Sequence, residues 1–181
     1  WRSAAAMPRL MRSGSTATRL ATMSDFKLRP LSEADRTYLA RLNFLTDTFG
    51  EEHKELTPQF DADFDYYLTR WEPSRGGFIA WEGNVPAGGV WMNWGTEQSH
   101  GYGHVEEGIP ELALAVEPRY RSQGVGTLLL RAATDLARDL GAPGVSLSVA
   151  LTNERAHRLY LFMGFKPVGE SEGHVVLVKR F

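Results

Sequence analysis

The sequence predicts an α/β fold, α+β by some schemes, in which one mixed sheet carries helices on both faces. Three observations predict it. Short apolar runs of strand length recur along the chain, stretches with apolar residues at helical spacing alternate with them, and glycine or proline punctuates the boundaries. At 181 residues and 43% hydrophobic content, the chain can bury one sizeable core. The expected organisation is an extension over residues 1–24 and one domain over residues 25–181.

Residues 26–29 read as a first strand. Ser32 then caps a helix that carries Glu33 and Asp35 in its first turn and Tyr38, Leu39 and Leu42 on its apolar face. Residues 61–71 read as a second helix. Residues 77–82 and 85–94 form a hairpin across Gly83-Asn84. Residues 95–108 read as a loop, and residues 111–116 as a strand whose alternation places Glu111, Ala113 and Ala115 on one face and Leu112, Leu114 and Val116 on the other. A third helix follows, with Val125, Leu128, Leu129, Ala132, Ala133, Leu136 and Leu140 at helical spacing, and Gly141 and Pro143 stop it. Residues 145–151 are a strand, a helix follows Asn153, and residues 165–170 and 174–179 pair as the last hairpin.

Composition excludes several function classes. A formal net charge of -2 argues against nucleic-acid binding, and no run of about 18 apolar residues suggests a membrane span. With no cysteine, the protein itself forms no disulfide and supplies no thiolate nucleophile. A soluble cytoplasmic protein is the plain reading. Residues 1–24 contain Arg2, Arg9, Arg12 and Arg19 and no acidic residue. They lack the apolar core of a secretory signal; their composition would suit a transit peptide, and they read here as an extension ahead of a folded part that starts near Met23.

The most informative run is Val116-Glu117-Pro118-Arg119-Tyr120-Arg121-Ser122-Gln123-Gly124-Val125-Gly126-Thr127, a strand that breaks at proline and re-emerges as a helix. Gly124 and Gly126 let a ligand approach the backbone, and the N–H groups of a helix's first turn favour an anion. A diphosphate suits that cradle; an ordinary strand-to-helix connection would use the same residues. The run lacks the Gly-Lys-Ser/Thr ending of a nucleotide-triphosphate loop and the later acidic residue of a dinucleotide fold.

Downstream, a strand leads to Asn153-Glu154-Arg155-Ala156-His157-Arg158-Leu159-Tyr160-Leu161-Phe162-Met163-Gly164-Phe165. The order strand, Arg-Ser-Gln-Gly-Val-Gly, helix, strand, Asn, helix with Tyr, then Gly-Phe resembles the GNAT superfamily of acetyl-CoA-dependent N-acyltransferases. The motifs span roughly residues 111–166. The resemblance implies a mixed, mostly antiparallel sheet of six to seven strands. It also implies acetyl-CoA as co-substrate, an amine acceptor, no resident metal, and a homodimer as in many relatives.

By that resemblance the backbone of Leu114, Ala115 and Val116 would bind the pantetheine arm and supply a donor to the thioester oxygen. Arg121, Ser122, Gln123, Gly124, Val125, Gly126 and Thr127 would hold the diphosphate. Asn153 would sit near the pantetheine, or cap its helix, or do both, and Tyr160 would be the general acid. Acyl transfer to an amine of ordinary pKa, about 10.4, also needs a base. Glu111 is the first candidate, with an exposed edge glutamate as the bland reading. The position where some relatives carry an acid, five residues before Asn153, is Ser148. His100 and His104 are a second candidate base or metal pair, set against two solvated histidines on a loose loop.

Acceptor selection is expected ahead of the cradle. Asp47, Glu51, Glu52, Glu55, Asp61, Asp63 and Asp65 face only Lys54 in that stretch and would attract a cationic amine, or simply form a solvated face. Phe60, Phe64, Tyr67, Trp91 and Trp94 would wall a pocket or pack in the core. The alternatives to an acetyltransferase are a CoA-binding sensor without efficient turnover, and a ribosome- or protein-associated modifier docked through its basic start.

Overall fold

The computed structural model describes residues 25–181, so the expected extension and its docking role lie outside the described residues. Seven strands form one sheet: β1 (Lys27–Pro30), β2 (Gly77–Glu82), β3 (Val85–Asn93), β4 (Glu111–Val116), β5 (Gly144–Ala150), β6 (Lys166–Ser171) and β7 (His174–Arg180). Their order is β1-β2-β3-β4-β5-β7-β6, antiparallel throughout except for the parallel pair β4 and β5. The expected mixed, mostly antiparallel sheet is present.

Helices cover both faces. On one face lie α1 (Arg36–Thr48), α2 (Phe60–Phe64) and the π-helical turn Asp65–Thr69 that continues it, burying Leu39, Leu42, Leu45, Leu68 and Trp71 against Ile79, Trp91 and Ala115. On the other lie α3 (Val125–Asp139) and α4 (Glu154–Phe162), whose Val125, Leu129, Leu130, Ala133, Ala137 and Tyr160 pack against Leu112, Val145, Leu147 and Leu177. β4 is apolar on both sides because it is central: Leu112, Leu114 and Val116 join the α3 side, and Ala113 and Ala115 the α1 side.

Several local readings shift. The expected second helix of residues 61–71 is a short α-helix wound on into a π turn. The first strand starts and ends one residue later than expected, and β5 one residue earlier. Ahead of α1, Ser32 donates its N–H (2.8 Å) and hydroxyl (2.9 Å) to the Asp35 carboxylate, and a single 3-10 turn intervenes before the α-helix proper. The buried stripe of α3 runs through Leu130, Thr134 and Ala137 rather than to Leu140, which is 50% exposed beyond the helix end. The buried face is thus rotated slightly from the expected stripe, leaving Leu128 and Leu136 only partly buried. No helix among the described residues is long and apolar enough to cross a membrane.

Candidate active site

The parallel strands β4 and β5 touch at their beginnings and then separate. Their register holds only at Glu111 opposite Ser146, with Ser146 N–H donating to the Pro110 carbonyl at 3.0 Å. Every antiparallel neighbour is paired along most of its length. Beyond Glu111 the side of β4 that would pair with β5 faces a cavity of about 770 Å³. Its wall is formed by Leu112–Val116 on β4, by Ser148, Val149 and Ala150 on β5, by the residues around the α3 N-terminus, and by Asn153, Ala156, Leu159 and Tyr160 at α4.

At one end lies the turn before α3. Ser122 (φ 61°) and Gly124 (φ 84°) both adopt left-handed backbone, which folds the chain back into the helix. Glycine takes that conformation without strain, whereas Ser122 is held there by its surroundings. Among the described residues no protein group accepts from the backbone N–H groups of residues 122–127; the first helical bond is Leu128 N–H to the Gly124 carbonyl at 3.0 Å. Six unpartnered donors at a helix start, with Gly124 and Gly126 lining the cavity, fit an anionic phosphate group.

Two guanidinium groups flank this turn. Arg121 donates through Nη2 to the Phe49 carbonyl at 2.6 Å, and burial and the nearby Arg155 lower its pKa. It lines the cavity beside the turn, and part of its donor set ties the exit of α1 to the cradle. Arg155 donates to the Ser122 hydroxyl at 2.7 Å and lines the same cavity, which makes it the cation that sequence reasoning passed over. The signal for it was present: it is the second residue of the helix that Asn153 starts. Asn153 accepts from Ala156 N–H at 3.2 Å, so its capping role is real, and it lines the cavity as well.

Midway along the cavity, Tyr160 is 7% exposed, and no protein group partners its hydroxyl among the described residues. Burial pushes its pKa up to about 12, so the phenol stays protonated at neutral pH.

Glu111 stands at the start of β4, 3% exposed, and is not the edge glutamate of the bland reading. Its Oε1 accepts from the Tyr67 hydroxyl at 2.6 Å and from Gly103 N–H at 2.9 Å, while the buried Oε2 has no partner. Desolvation raises the carboxyl to about 7, against the opposing effect of those two donors. The segment between β3 and β4 is packed rather than loose here. A Cβ at Gly101 would overlap the Tyr67 hydroxyl and Glu111, and one at Gly103 would overlap the backbone of Leu147 and Ser148.

The histidines behave otherwise than expected. His100 and His104 stack on each other at 4.5 Å, the His104 side chain is largely buried and meets Glu97 at 3.4 Å, and neither lines the cavity. His174, from β7, does line it, stacked at 4.5 Å on Tyr102. Among these aromatics, Phe60, Tyr67 and Trp91 line the cavity. Trp91 is fully buried with its Nε1 donating to the Tyr67 carbonyl at 2.9 Å, Phe64 packs on the α1 side, and Trp94 points its Nε1 to the Arg75 carbonyl at 3.0 Å, away from the site.

Residues 42–165 match the model of the acetyltransferase (GNAT) family, a span that contains the separated strands, the cradle and α4. The chain belongs to this family. A segment of 58 residues is 38% identical to the thialysine N-epsilon-acetyltransferase of Mus musculus, covering 32% of this chain and 34% of that protein. A segment of 56 residues is 38% identical to a putative ribosomal protein bS18-alanine N-acetyltransferase of Bacillus subtilis, covering 31% of this chain and 37% of that protein. The matches thus span about a third of the length of these curated relatives. Among solved structures, the PaiA N-acetyltransferase of Thermoplasma acidophilum in complex with coenzyme A superimposes with a TM-score of 0.66 at 15% identity, over 86% of this chain and 99% of that one. That likeness is one of fold.

Within this GNAT chain, the expected site residues Glu111, Leu114, Ala115, Val116, Arg121, Ser122, Gly124, Val125, Gly126, Thr127, Asn153 and Tyr160 all line one cavity. Gln123 does not; its side-chain amide donates to the Arg119 carbonyl at 2.9 Å and holds the turn together from outside. Ser148 lines the cavity in the place where some relatives carry an acid. Tyr67 as the partner of Glu111, and Tyr102 and His174 as lining residues, emerge only from the fold, because they come from widely separated parts of the chain.

Proposed function

We propose that this protein transfers the acetyl group of acetyl-CoA to a primary amine of a small molecule or peptide, by direct attack within a ternary complex. The observation that carries the reading is the cavity between β4 and β5, with an anion cradle at one end, a protonated phenol midway and a buried carboxyl of pKa about 7 at the start of β4. These are the groups that amide formation from a thioester requires.

The residues divide the work as follows. The N–H groups of residues 122–127 and the Arg155 guanidinium bind the diphosphate, and the free side of β4 from Leu114 to Val116 aligns the pantetheine amides as an added strand. Glu111 accepts a proton from the ammonium through water, its carboxylate being buried. The neutral amine forms the C–N bond at the thioester carbonyl, and a backbone N–H of β4 stabilises the oxygen as it becomes negative. As the C–S bond breaks, Tyr160 donates its proton to the departing sulfur, and the second proton that the attacking nitrogen must lose passes through water to the resulting phenolate, which restores the phenol. No covalent acyl-enzyme is needed, and no cysteine is present to form one. Phe162, 80% exposed at the end of α4, is apolar surface of the kind that a homodimer would cover.

The test is amine-dependent release of thiol from acetyl-CoA, followed with a chromogenic thiol reagent across polyamines, aminoglycosides, amino acids and peptides. Release with an amine supports the reading. Tight acetyl-CoA binding with no release from any amine overturns it in favour of a sensor.

A further inference from the structure

A row of buried polar side chains crosses the centre of the sheet. Asn93 on β3 stands directly opposite Glu111 on β4, which in turn stands opposite Ser146 on β5. Residues paired in this way project to one face, here the α1 face to which Trp91 and Ala113 belong two positions along. Asn93 and Ser146 are fully buried, and neither lines the cavity. Asn93 Oδ1 and Nδ2 and Ser146 Oγ have no hydrogen-bond partner among the described residues. Because both amide atoms of Asn93 are unpartnered, exchanging them alters nothing. A leucine at 93 would suit the apolar company of β3 without the cost of an orphaned amide, so the asparagine calls for a role.

The two oxygens of Glu111 have different surroundings. Oε1 is turned to Gly103, whose Cβ would lie 3.0 Å from it and 2.8 Å from the Ser148 nitrogen on the β5 side. Oε2 is turned to Gly101, whose Cβ would lie 2.5 Å from it. The Tyr66 hydroxyl belongs to that second side. Gly101 N–H approaches it without closing a hydrogen bond, and a Cβ at Gly95, two residues beyond Asn93, would lie 3.0 Å from it. Four unpartnered polar atoms from three elements thus gather there: Glu111 Oε2, the two Asn93 amide atoms and the Tyr66 hydroxyl.

We infer that Asn93 and Tyr66 are positioning residues for Glu111, sharing one buried water with Oε2 that orients the carboxyl and solvates its ionised form. The catalytic consequence, a base made ready to take a proton, rests on the proposed acetyltransferase. A buried water takes two to four partners. Here the carboxylate and the amide oxygen receive its protons, and the amide N–H and the phenol donate to it. Burial, and after it the Glu111 charge, raises the Tyr66 pKa and keeps the phenol a donor. The other titratable groups around the carboxyl are Tyr67 from the π turn, His100 from the segment before β4, which favours ionisation, and Asp63 from α2, which opposes it. From β5, Ser146 and Ser148 share this face, and neither titrates.

The experiment titrates the Glu111 carboxyl directly, by NMR of protein carrying carbon-13 in its glutamate side-chain carboxyls, with Glu111→Gln assigning the signal. The acid limb of kcat/KM for one amine is measured in parallel. Asn93→Leu removes both amide atoms at similar volume, so the ionised carboxyl loses a partner, and the midpoint and the acid limb should both rise by at least about one pH unit. Tyr66→Phe removes only the hydroxyl and should raise the midpoint by roughly half a unit. Asn93→Ser, whose hydroxyl can hold the same water, should return it to within about half a unit of wild type. The rate above the limb and KM for acetyl-CoA should stay within about threefold in all three variants. Ser146→Ala, on the Oε1 side, should leave the midpoint in place.

A midpoint unmoved in Asn93→Leu or in Tyr66→Phe overturns the inference and leaves the acetyltransferase standing. Should Asn93→Leu fail to fold, Tyr66→Phe decides alone. A rate lowered equally at every pH with the midpoint in place, or a shift in Ser146→Ala as large as in Asn93→Leu, assigns these residues to packing and also overturns it. Shifted midpoints in a protein that releases no thiol with any amine support the positioning of the carboxyl and overturn the transfer reading instead.

Discussion

The Tyr67 hydroxyl donates to Glu111 Oε1 at 2.6 Å and thereby ties a π-helical turn on one face of the sheet to the first residue of its central strand. Burial pushes the carboxyl up and the Tyr67 and Gly103 donors pull it down, leaving it at about 7. A base so placed is half ionised at neutral pH, and its activity should rise with pH through that point. Tyr67→Phe removes one donor to the ionised form, so the acid limb of kcat/KM should move to higher pH by roughly one unit. The difference from wild type isolates Glu111, because deprotonation of the free amine cancels. An acid limb that stays in place removes Tyr67 as a positioning residue, whereas a uniform fall in rate at every pH would indicate only a packing role.

The same carboxyl makes stability depend on pH. Its folded pKa of about 7 lies above the ordinary value of 4.5, so the native state binds more protons than the unfolded state between those limits. Stability therefore contains a term fully present below 4.5 that is lost as pH rises through 7, on the order of 3 kcal/mol. Urea unfolding of the apo protein across pH 5 to 8 should show this decline, and Glu111→Gln should flatten it. A wild-type midpoint that rises over that interval would contradict the buried-carboxyl account.

Much of the fold was legible because its elements are punctuated locally. The hairpin turn at Gly83-Asn84, the stop at Gly141 and the cap at Asn153 each act within a few residues of their own position. The cradle was legible for the same reason, since glycine at 124 answers a left-handed backbone requirement that only the adjoining turn imposes. The surroundings of Glu111 were not. Its carboxylate is defined by Tyr67, 44 positions earlier, and by a backbone N–H of a segment that reads as a loose loop until Gly101 and Gly103 are seen packed on it. Which histidine reaches the site was hidden likewise. His100 and His104 stand together in sequence but stack on each other away from the cavity, while His174 arrives through the pairing of the last two strands.

Tyr160 offers a test of acid catalysis separate from binding. Its hydroxyl has no protein partner among the described residues, and the ring is packed in the core beside Phe165 at 6.1 Å. Tyr160→Phe keeps that packing and removes only the proton donor. Turnover should fall by roughly a hundredfold with the calorimetric Kd for acetyl-CoA changed by less than about threefold. An unchanged rate would remove the general-acid assignment, and a weakened Kd with unchanged turnover would make Tyr160 a binding residue.

Gly124 and Gly126 should separate backbone conformation from space in the cradle. Gly124 stands at φ 84°, where a β-branched residue is strained, so Gly124→Val must turn the chain and redirect the N–H groups that follow it. Acetyl-CoA binding should then be lost, while the domain, whose core does not include this residue, still unfolds cooperatively. Gly126 is already helical, and a Cβ there would lie 3.1 Å from Leu159 Cδ2, the end of a side chain that can move by the few tenths of an ångström needed. Gly126→Ala should weaken acetyl-CoA by less than about tenfold. Calorimetry on both variants checks the pair: retained binding in Gly124→Val sinks the cradle, and a larger loss in Gly126→Ala than in Gly124→Val would mean that close approach at 126, not the turn at 124, sets the site.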